Sequence, residues 1–80
     1  MIVEGFKVTP RVLDALTTRL RREPATAEML EDLATTFDVP LWVRMRVVDR
    51  WLQKNRKAGL IYFRAQEWHW GVCEPRVGSP

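Results

Sequence analysis

The sequence has very few of the residues from which most catalytic and metal sites are built. Among its 80 residues there is one cysteine, Cys73, and one histidine, His69. One cysteine cannot form a disulfide within the chain, and one histidine without a cysteine or carboxylate cluster is not a zinc site. The four glycines are scattered, so no glycine-rich loop is present to cradle a phosphate. We therefore expect no enzyme activity, no cofactor, no bound metal and no small-molecule substrate.

Long apolar runs are missing as well. No segment approaches the roughly 18 consecutive apolar residues of a membrane span, and Glu4 interrupts the N-terminal stretch that a signal peptide would keep apolar. Together with the lone cysteine, this predicts a cytoplasmic protein with no membrane partner. A chain of 80 residues with 46% hydrophobic residues is expected to form a single domain over 1–80. Its ordered core is predicted over about 6–73, followed by a frayed tail at 74–80.

The charges are distributed unevenly along the chain. The first forty residues carry five basic and seven acidic side chains, a net charge of −2. The remaining forty carry eight basic and three acidic side chains, a net charge of +5. Such an asymmetry points to a polyanionic partner for the second half.

Two helices are predicted in the first half. Thr9 is a suitable N-cap and Pro10 is favoured in the first turn, so a helix begins there and ends before Pro24. A short link that can be extended follows, and Thr26 is expected to cap a second helix over about 27–37. The apolar stripe of this second helix is predicted to be Met29, Leu33 and Phe37, with Leu30 and Ala34 beside it.

A third helix is predicted between the Asp38-Val39-Pro40 break, where Asp38 is a plausible N-cap, and Gly59, a residue that favours the left-handed helix stop. At about 100° per residue its side chains separate into an apolar and a polar arc. The apolar arc, expected to face the core, contains Leu41, Met45, Val47, Val48, Trp51, Leu52 and Ala58. There are three exceptions: Val43 falls in the polar arc, and Arg44 and Asn55 fall in the apolar arc.

The segments LIYFR and EWHWGVC alternate with a period of two, which indicates an antiparallel hairpin. With Ala65 and Gln66 as the turn, Phe63 pairs with Trp68 and Ile61 with Trp70 on an apolar face, while Tyr62 pairs with His69 and Arg64 with Glu67 on a polar face. Because these two turn residues lack the glycine or asparagine that a two-residue turn prefers, a four-residue loop is the alternative.

Over residues 9–73 this order of elements resembles the winged helix-turn-helix family. The segment TAEMLEDLATTFDVP is similar to the helix and turn ahead of a recognition helix, and VVDRWLQKNRKAGLIYF is similar to a recognition helix that continues into the first strand of a wing. The resemblance implies a mainly α fold with a small β-hairpin, in which a three-helix core carries a two-stranded wing. It also implies that the third helix enters the DNA major groove while the wing touches the neighbouring backbone. The family often has glycine in the turn before that helix, where this chain has Asp38.

The candidate function is therefore binding of double-stranded DNA, as a transcriptional regulator or an accessory factor in DNA transactions. Arginine and lysine would neutralise phosphates, with Arg46 and Arg50 best placed for bidentate contact to guanine. A homodimer is plausible because one such module has a small footprint. The candidate DNA-binding residues are Trp42, Arg44, Arg46, Arg50, Gln53, Lys54, Lys57 and Arg64.

Two alternatives remain at this level. A basic helix face is often only solvated, and Arg44 in particular could lay its stem on the core. Trp51, Trp68 and Trp70 are expected in the core, whereas Trp42 lies near the edge of the polar arc. An exposed Trp42 suits a nucleic-acid contact or a docking anchor for a protein partner, so the same fold could serve as a protein-interaction adaptor without DNA binding.

Overall fold

The computed structural model describes residues 1–71 as three helices and two small antiparallel strand pairs. In chain order these elements are β1 (Ile2–Val3), β2 (Phe6–Lys7), α1 (Pro10–Arg22), α2 (Ala27–Thr36), α3 (Leu41–Lys57), β3 (Ile61–Arg64) and β4 (Glu67–Trp70). The predicted class, mainly α with a small hairpin, is confirmed at this level. Cys73 and the predicted tail 74–80 lie outside the described residues.

Helix α1 begins at Pro10, as predicted, but Thr9 does not cap it with its side chain. Instead the Thr9 carbonyl accepts hydrogen bonds from the amides of Val12 (3.1 Å) and Leu13 (3.4 Å). Pro10 has no N–H and its φ is preset for the first turn, so the helix starts without that cap. The side chains that α1 buries recur every fourth residue and are Val12, Leu16 and Leu20.

Helix α2 begins where the sequence predicts, because the Thr26 hydroxyl accepts a hydrogen bond of 3.2 Å from the Met29 amide. Its apolar stripe is rotated from the predicted one. Leu30 and Ala34 are fully buried, whereas Met29 is exposed and Leu33 is only partly buried. The predicted stripe therefore lies at the edge of the core and not at its centre.

The turn between α2 and α3 is built by Asp38, which has a left-handed φ of 62°. Its amide donates to the Thr35 carbonyl (3.1 Å) and the next amide, that of Val39, donates to the Ala34 carbonyl (3.3 Å). This pair of bonds is a Schellman stop, usually made with glycine, and it ends α2 at Thr36. The predicted role of Asp38 as the N-cap of α3 is wrong, since Pro40 occupies that position.

Helix α3 packs one face against the rest of the molecule, and four side chains predicted to face the core are buried there: Val47, Val48, Trp51 and Leu52. The prediction is wrong at the edges of this face: Val43, assigned to the polar side, is fully buried, and Leu41, Met45 and Ala58, assigned to the core, are exposed. Asn55 is half-buried and donates a 2.8 Å hydrogen bond to the Trp51 carbonyl one turn back. The residues that α3 buries are Val43, Val47, Val48, Trp51 and Leu52.

An N-terminal hairpin, which the sequence analysis does not predict, extends the ordered part of the chain below residue 6. Ile2 pairs with Lys7 and Val3 with Phe6 around a turn at Glu4 and Gly5, whose φ angles are 50° and 85°. Val3 is fully buried, and β1 packs against α3. This hairpin therefore belongs to the core and runs beside the helix that carries most of the candidate site.

The C-terminal hairpin has the predicted register in full. Each of the four pairs, from Ile61 with Trp70 to Arg64 with Glu67, is present. Ala65 and Gln66 form a two-residue turn with φ angles of 53° and 64°, so the alternative four-residue loop is not adopted. The hairpin follows α3 directly, because a second Schellman stop at Gly59 (φ 77°) ends the helix.

The link between α1 and α2 joins the C-terminal hairpin. Ala25 is buried and exchanges two backbone hydrogen bonds with Trp68, of 3.1 and 2.8 Å, as the extended link allows. Trp68 and Trp70 pack against the core while remaining partly exposed, and the Arg21 guanidinium lies 5.7 Å from the centre of the Trp70 ring. With Trp51 buried, the predicted core placement holds for these three tryptophans.

Candidate nucleic-acid interface

Helix α3 presents a row of basic side chains to solvent. Arg46, Arg50, Lys54 and Lys57 are exposed and follow one another at intervals of three or four residues. That spacing keeps them on one side of the helix, because the valines, Trp51 and Leu52 of the opposite side are held in the core. The structure thus brings together four of the predicted DNA-binding residues.

A shallow depression of about 390 Å³ lies beside the last three cations of this row. It is lined by Arg50, Gln53, Lys54 and Lys57 of α3 and by Met1 of the N-terminal segment. Gln53 is only half-exposed, and its side-chain oxygen accepts a 3.3 Å hydrogen bond from Arg56. The participation of Met1 has no counterpart in the sequence analysis, since it depends on the hairpin that places β1 beside α3.

One end of the basic row is paired with an acid. An Arg46 guanidinium nitrogen donates a 2.7 Å hydrogen bond to the Glu4 carboxylate in the turn of the N-terminal hairpin. Within residues 1–71 this is the one ion pair closer than 4 Å. Glu4 is therefore part of the electrostatics of the site, and the sequence offers only the Glu4-Gly5 turn signal to suggest it.

Arg44 stands apart from the row. Its guanidinium donates to the Val39 carbonyl through two nitrogens, at 3.4 and 3.1 Å, and the side chain is partly buried. The Val39 carbonyl lies directly after the Schellman stop of α2, so Arg44 joins the start of α3 to the end of α2. Arg44 is thus partly buried and held against Val39, whereas the four cations of the row are exposed.

The first turn of α3 is apolar and open to solvent. Leu41 is 78% exposed, Trp42 65% and Met45 67%. Met45 lies four residues after Leu41 and three after Trp42, so it is a neighbour of both on the helix surface. The exposure of Trp42 agrees with the prediction, whereas Leu41 and Met45 add an apolar surface beside it that the sequence analysis placed in the core.

Arg64, the remaining candidate, is exposed on the polar face of the C-terminal hairpin. On the same face the rings of Tyr62 and His69 stack, with centroids 4.9 Å apart and planes inclined by 8°. His69 Nε2 lies 3.1 Å from the Arg64 carbonyl oxygen. Arg64 thus belongs to a different element from the row on α3.

Residues 1–71 contain no group of three or more histidine, cysteine, aspartate or glutamate side chains arranged to hold a metal ion. None of the helices in that range has both the length and the apolar character needed to cross a bilayer.

Comparisons of the chain with protein-family models, with curated proteins and with solved structures found no match.

Proposed function

We propose that this protein binds double-stranded DNA as a winged-helix module, with α3 as the recognition helix and the C-terminal hairpin as the wing. The observation that carries the proposal is the exposed row of Arg46, Arg50, Lys54 and Lys57 on α3. Two further features support the proposal. Asp38 adopts a left-handed conformation in the turn where winged helix-turn-helix proteins often have glycine, and Ala25 forms an antiparallel β-bridge with Trp68 of the C-terminal hairpin. A role in transcription regulation or another DNA transaction would follow from such binding.

The dimensions of the row suit a duplex. Arg46 and Lys57 are separated by eleven positions, which corresponds to roughly 17 Å along a helix that rises about 1.5 Å per residue. The major groove is about 12 Å wide and admits a helix. In the proposed complex the four cations of the row lie within reach of the phosphates that border the groove.

The binding energy would come mainly from the neutralised phosphates. Four exposed cations that each displace a condensed counterion predict that the logarithm of affinity falls against the logarithm of salt concentration with a slope of about −3 to −5. Fluorescence anisotropy of a labelled duplex, measured over a series of salt concentrations, gives this slope directly. A slope near zero would rule out the proposed interface.

A double variant locates the contact. Arg50→Ala with Lys54→Ala removes two charges from the row without touching the buried face of α3, and it should flatten the salt slope by about 2. The matched control is Arg11→Ala with Arg22→Ala, which removes the same charge from exposed positions on α1. Equal losses of affinity in both double variants would mean that DNA senses only the net charge of the protein.

A second candidate function is favoured by the exposed apolar turn formed by Leu41, Trp42 and Met45. Contiguous exposed apolar side chains mark contact surfaces, and tryptophan is enriched among the residues that contribute most to them. Under this hypothesis α3 is a protein-interaction helix, and its partner is a second copy of the chain. Sedimentation of the protein with and without Trp42→Ser tests it: self-association that the substitution abolishes, with DNA affinity absent in both, would favour the adaptor.

A further inference from the structure

Between α1 and α2 there is a groove of about 400 Å³ that no residue of α3 lines. Its floor is apolar and is formed by Ala15 of α1, Leu33 of α2 and Phe37, the residue that follows α2. All three side chains are partly exposed. Leu33 and Phe37 belong to the stripe that the sequence assigns to the core, so the rotation of α2 leaves part of that stripe facing water.

The rim of the groove is basic. Arg11, Arg19 and Arg22 line it, against one acid, Asp14. Arg11 holds its guanidinium 5.6 Å from the centre of the Phe37 ring, and Arg19 donates a 2.9 Å hydrogen bond to the Glu23 carbonyl at the end of α1. Two of the three cations are therefore held by contacts within the protein before anything binds, which reduces the entropy lost on binding.

An apolar floor between cationic edges is complementary to a ligand with an apolar stripe flanked by carboxylates. From this complementarity we infer that the groove docks an acidic amphipathic helix of a partner protein. Its apolar stripe would pack on Leu33 and Phe37, and its glutamates or aspartates would pair with the arginines of α1. The inference is independent of DNA binding, since the groove and the basic row share no residue.

A helix fits this groove better than an extended peptide does. The walls are themselves two helices, and a third helix can seat its side chains in the groove between them. Arg11 and Arg22 stand eleven positions apart on α1, which places them roughly 17 Å or three turns apart. A helical ligand of about three turns would thus meet a cation near each end and apolar side chains between them.

The probe for the test is a fluorescein-labelled synthetic peptide of three to four turns, with leucines at helical spacing and glutamates on both flanks. Its control is a peptide of the same composition in scrambled order. Anisotropy should show saturable binding of the amphipathic peptide and at least a tenfold weaker affinity for the scrambled one. Equal binding of the two peptides would overturn the inference, because only net charge would then be recognised.

Charge reversal at the rim tests the site. Arg11→Glu with Arg22→Glu should weaken the peptide at least ~10-fold, since both substitutions set like charges against it. Lys7→Glu with Arg21→Glu is the charge-matched control, made at exposed positions that do not line the groove. Circular dichroism melting establishes that each variant is folded. If the control weakens binding as much as the rim variant does, the groove is not the docking site.

Chemical-shift mapping on the unmodified protein avoids dependence on any variant. Titration with the amphipathic peptide should move the amide resonances of Ala15, Leu33 and Phe37, and leave those of Arg50 and Lys54 in place. Shifts confined to α3 would overturn the inference. Binding to anionic phospholipid vesicles without binding to the peptide would also overturn it, because the groove would then recognise a lipid surface.

Discussion

Arg46 on α3 donates a 2.7 Å hydrogen bond to Glu4, 42 positions earlier in the chain, and so ties the candidate recognition helix to the turn of the N-terminal hairpin. Both side chains are substantially exposed, at 67% for Arg46 and 43% for Glu4. Exposed pairs of this kind contribute about 0–1 kcal/mol to stability, because water screens the attraction and ordering two long side chains costs entropy. The greater consequence is for binding, since a phosphate that approaches Arg46 has to displace a carboxylate.

Replacing that carboxylate should strengthen DNA binding. We expect Glu4→Gln to raise the affinity for a duplex about 2- to 5-fold at low salt, because one repelling charge is lost and Arg46 is released, and to make the salt slope steeper by up to about 1. The free energy of unfolding should change by less than about 1 kcal/mol. Glu23→Gln, an equal charge change at an exposed position beyond the end of α1, is the control. Equal gains in the two variants would show that the ion pair itself does not compete with DNA.

Arg44 and Arg50 should respond in opposite ways to substitution. Arg44 is partly buried on the Val39 carbonyl, so Arg44→Met should lower the free energy of unfolding by about 1–2 kcal/mol, through loss of a hydrogen bond from a charged donor. Arg50 is exposed, so Arg50→Ala should leave the stability within about 0.5 kcal/mol and weaken DNA binding. Urea denaturation and duplex anisotropy measure the two effects. A larger loss of DNA affinity for the Arg44 variant in its folded state would return Arg44 to the binding face.

The parts of the fold that the sequence predicts are those whose signals are local and repeated. The hairpin register follows from two strands that both alternate with a period of two, since a shift by one residue would turn Ile61 and Trp70 away from the core. The start of α2 follows from Thr26, whose cap depends on atoms three residues away. Neither feature requires knowledge of the rest of the chain.

The errors occur where tertiary packing decides between equivalent local choices. A helical wheel centres the apolar arc of α3 on all its apolar residues. Among residues 1–71, however, no element covers Leu41 or Met45, and the buried face is shifted toward Val43. The N-terminal hairpin has strands of only two residues, too short for any period to be read. Because the sequence does not predict that hairpin, it does not predict the pairing of Glu4 with Arg46 either.

Asp38 should be replaceable by glycine with a gain in stability. Its φ of 62° is costly for residues that carry a Cβ. Aspartate tolerates this conformation better than most of them, but glycine adopts it at no steric cost. Asp38→Gly removes this cost, but glycine also loses more conformational entropy on folding. The balance predicts that the free energy of unfolding rises by up to about 1 kcal/mol. Asp38→Val should lower it, because a β-branched residue is poorly tolerated at positive φ. Thermal melts of the two variants compare the predictions, and a glycine variant less stable than the parent would show that the aspartate side chain contributes more than its backbone strain costs.

The two-residue turn of the C-terminal hairpin offers the clearest site for stabilisation. Ala65 and Gln66 both have positive φ, the geometry that Asn-Gly adopts at least cost in a hairpin. Replacing them by Ala65→Asn with Gln66→Gly should raise the free energy of unfolding by about 1 kcal/mol or more, because left-handed backbone costs ordinary residues roughly that much each. Ala65→Val should act in the opposite direction for the same reason.

Neither turn residue is basic, so the duplex affinity should stay within about twofold if α3 supplies the binding energy. If the stabilised variant keeps its fold but loses DNA affinity, the turn itself contacts the DNA. Ala65 and Gln66 would then contribute to binding at a cost in stability.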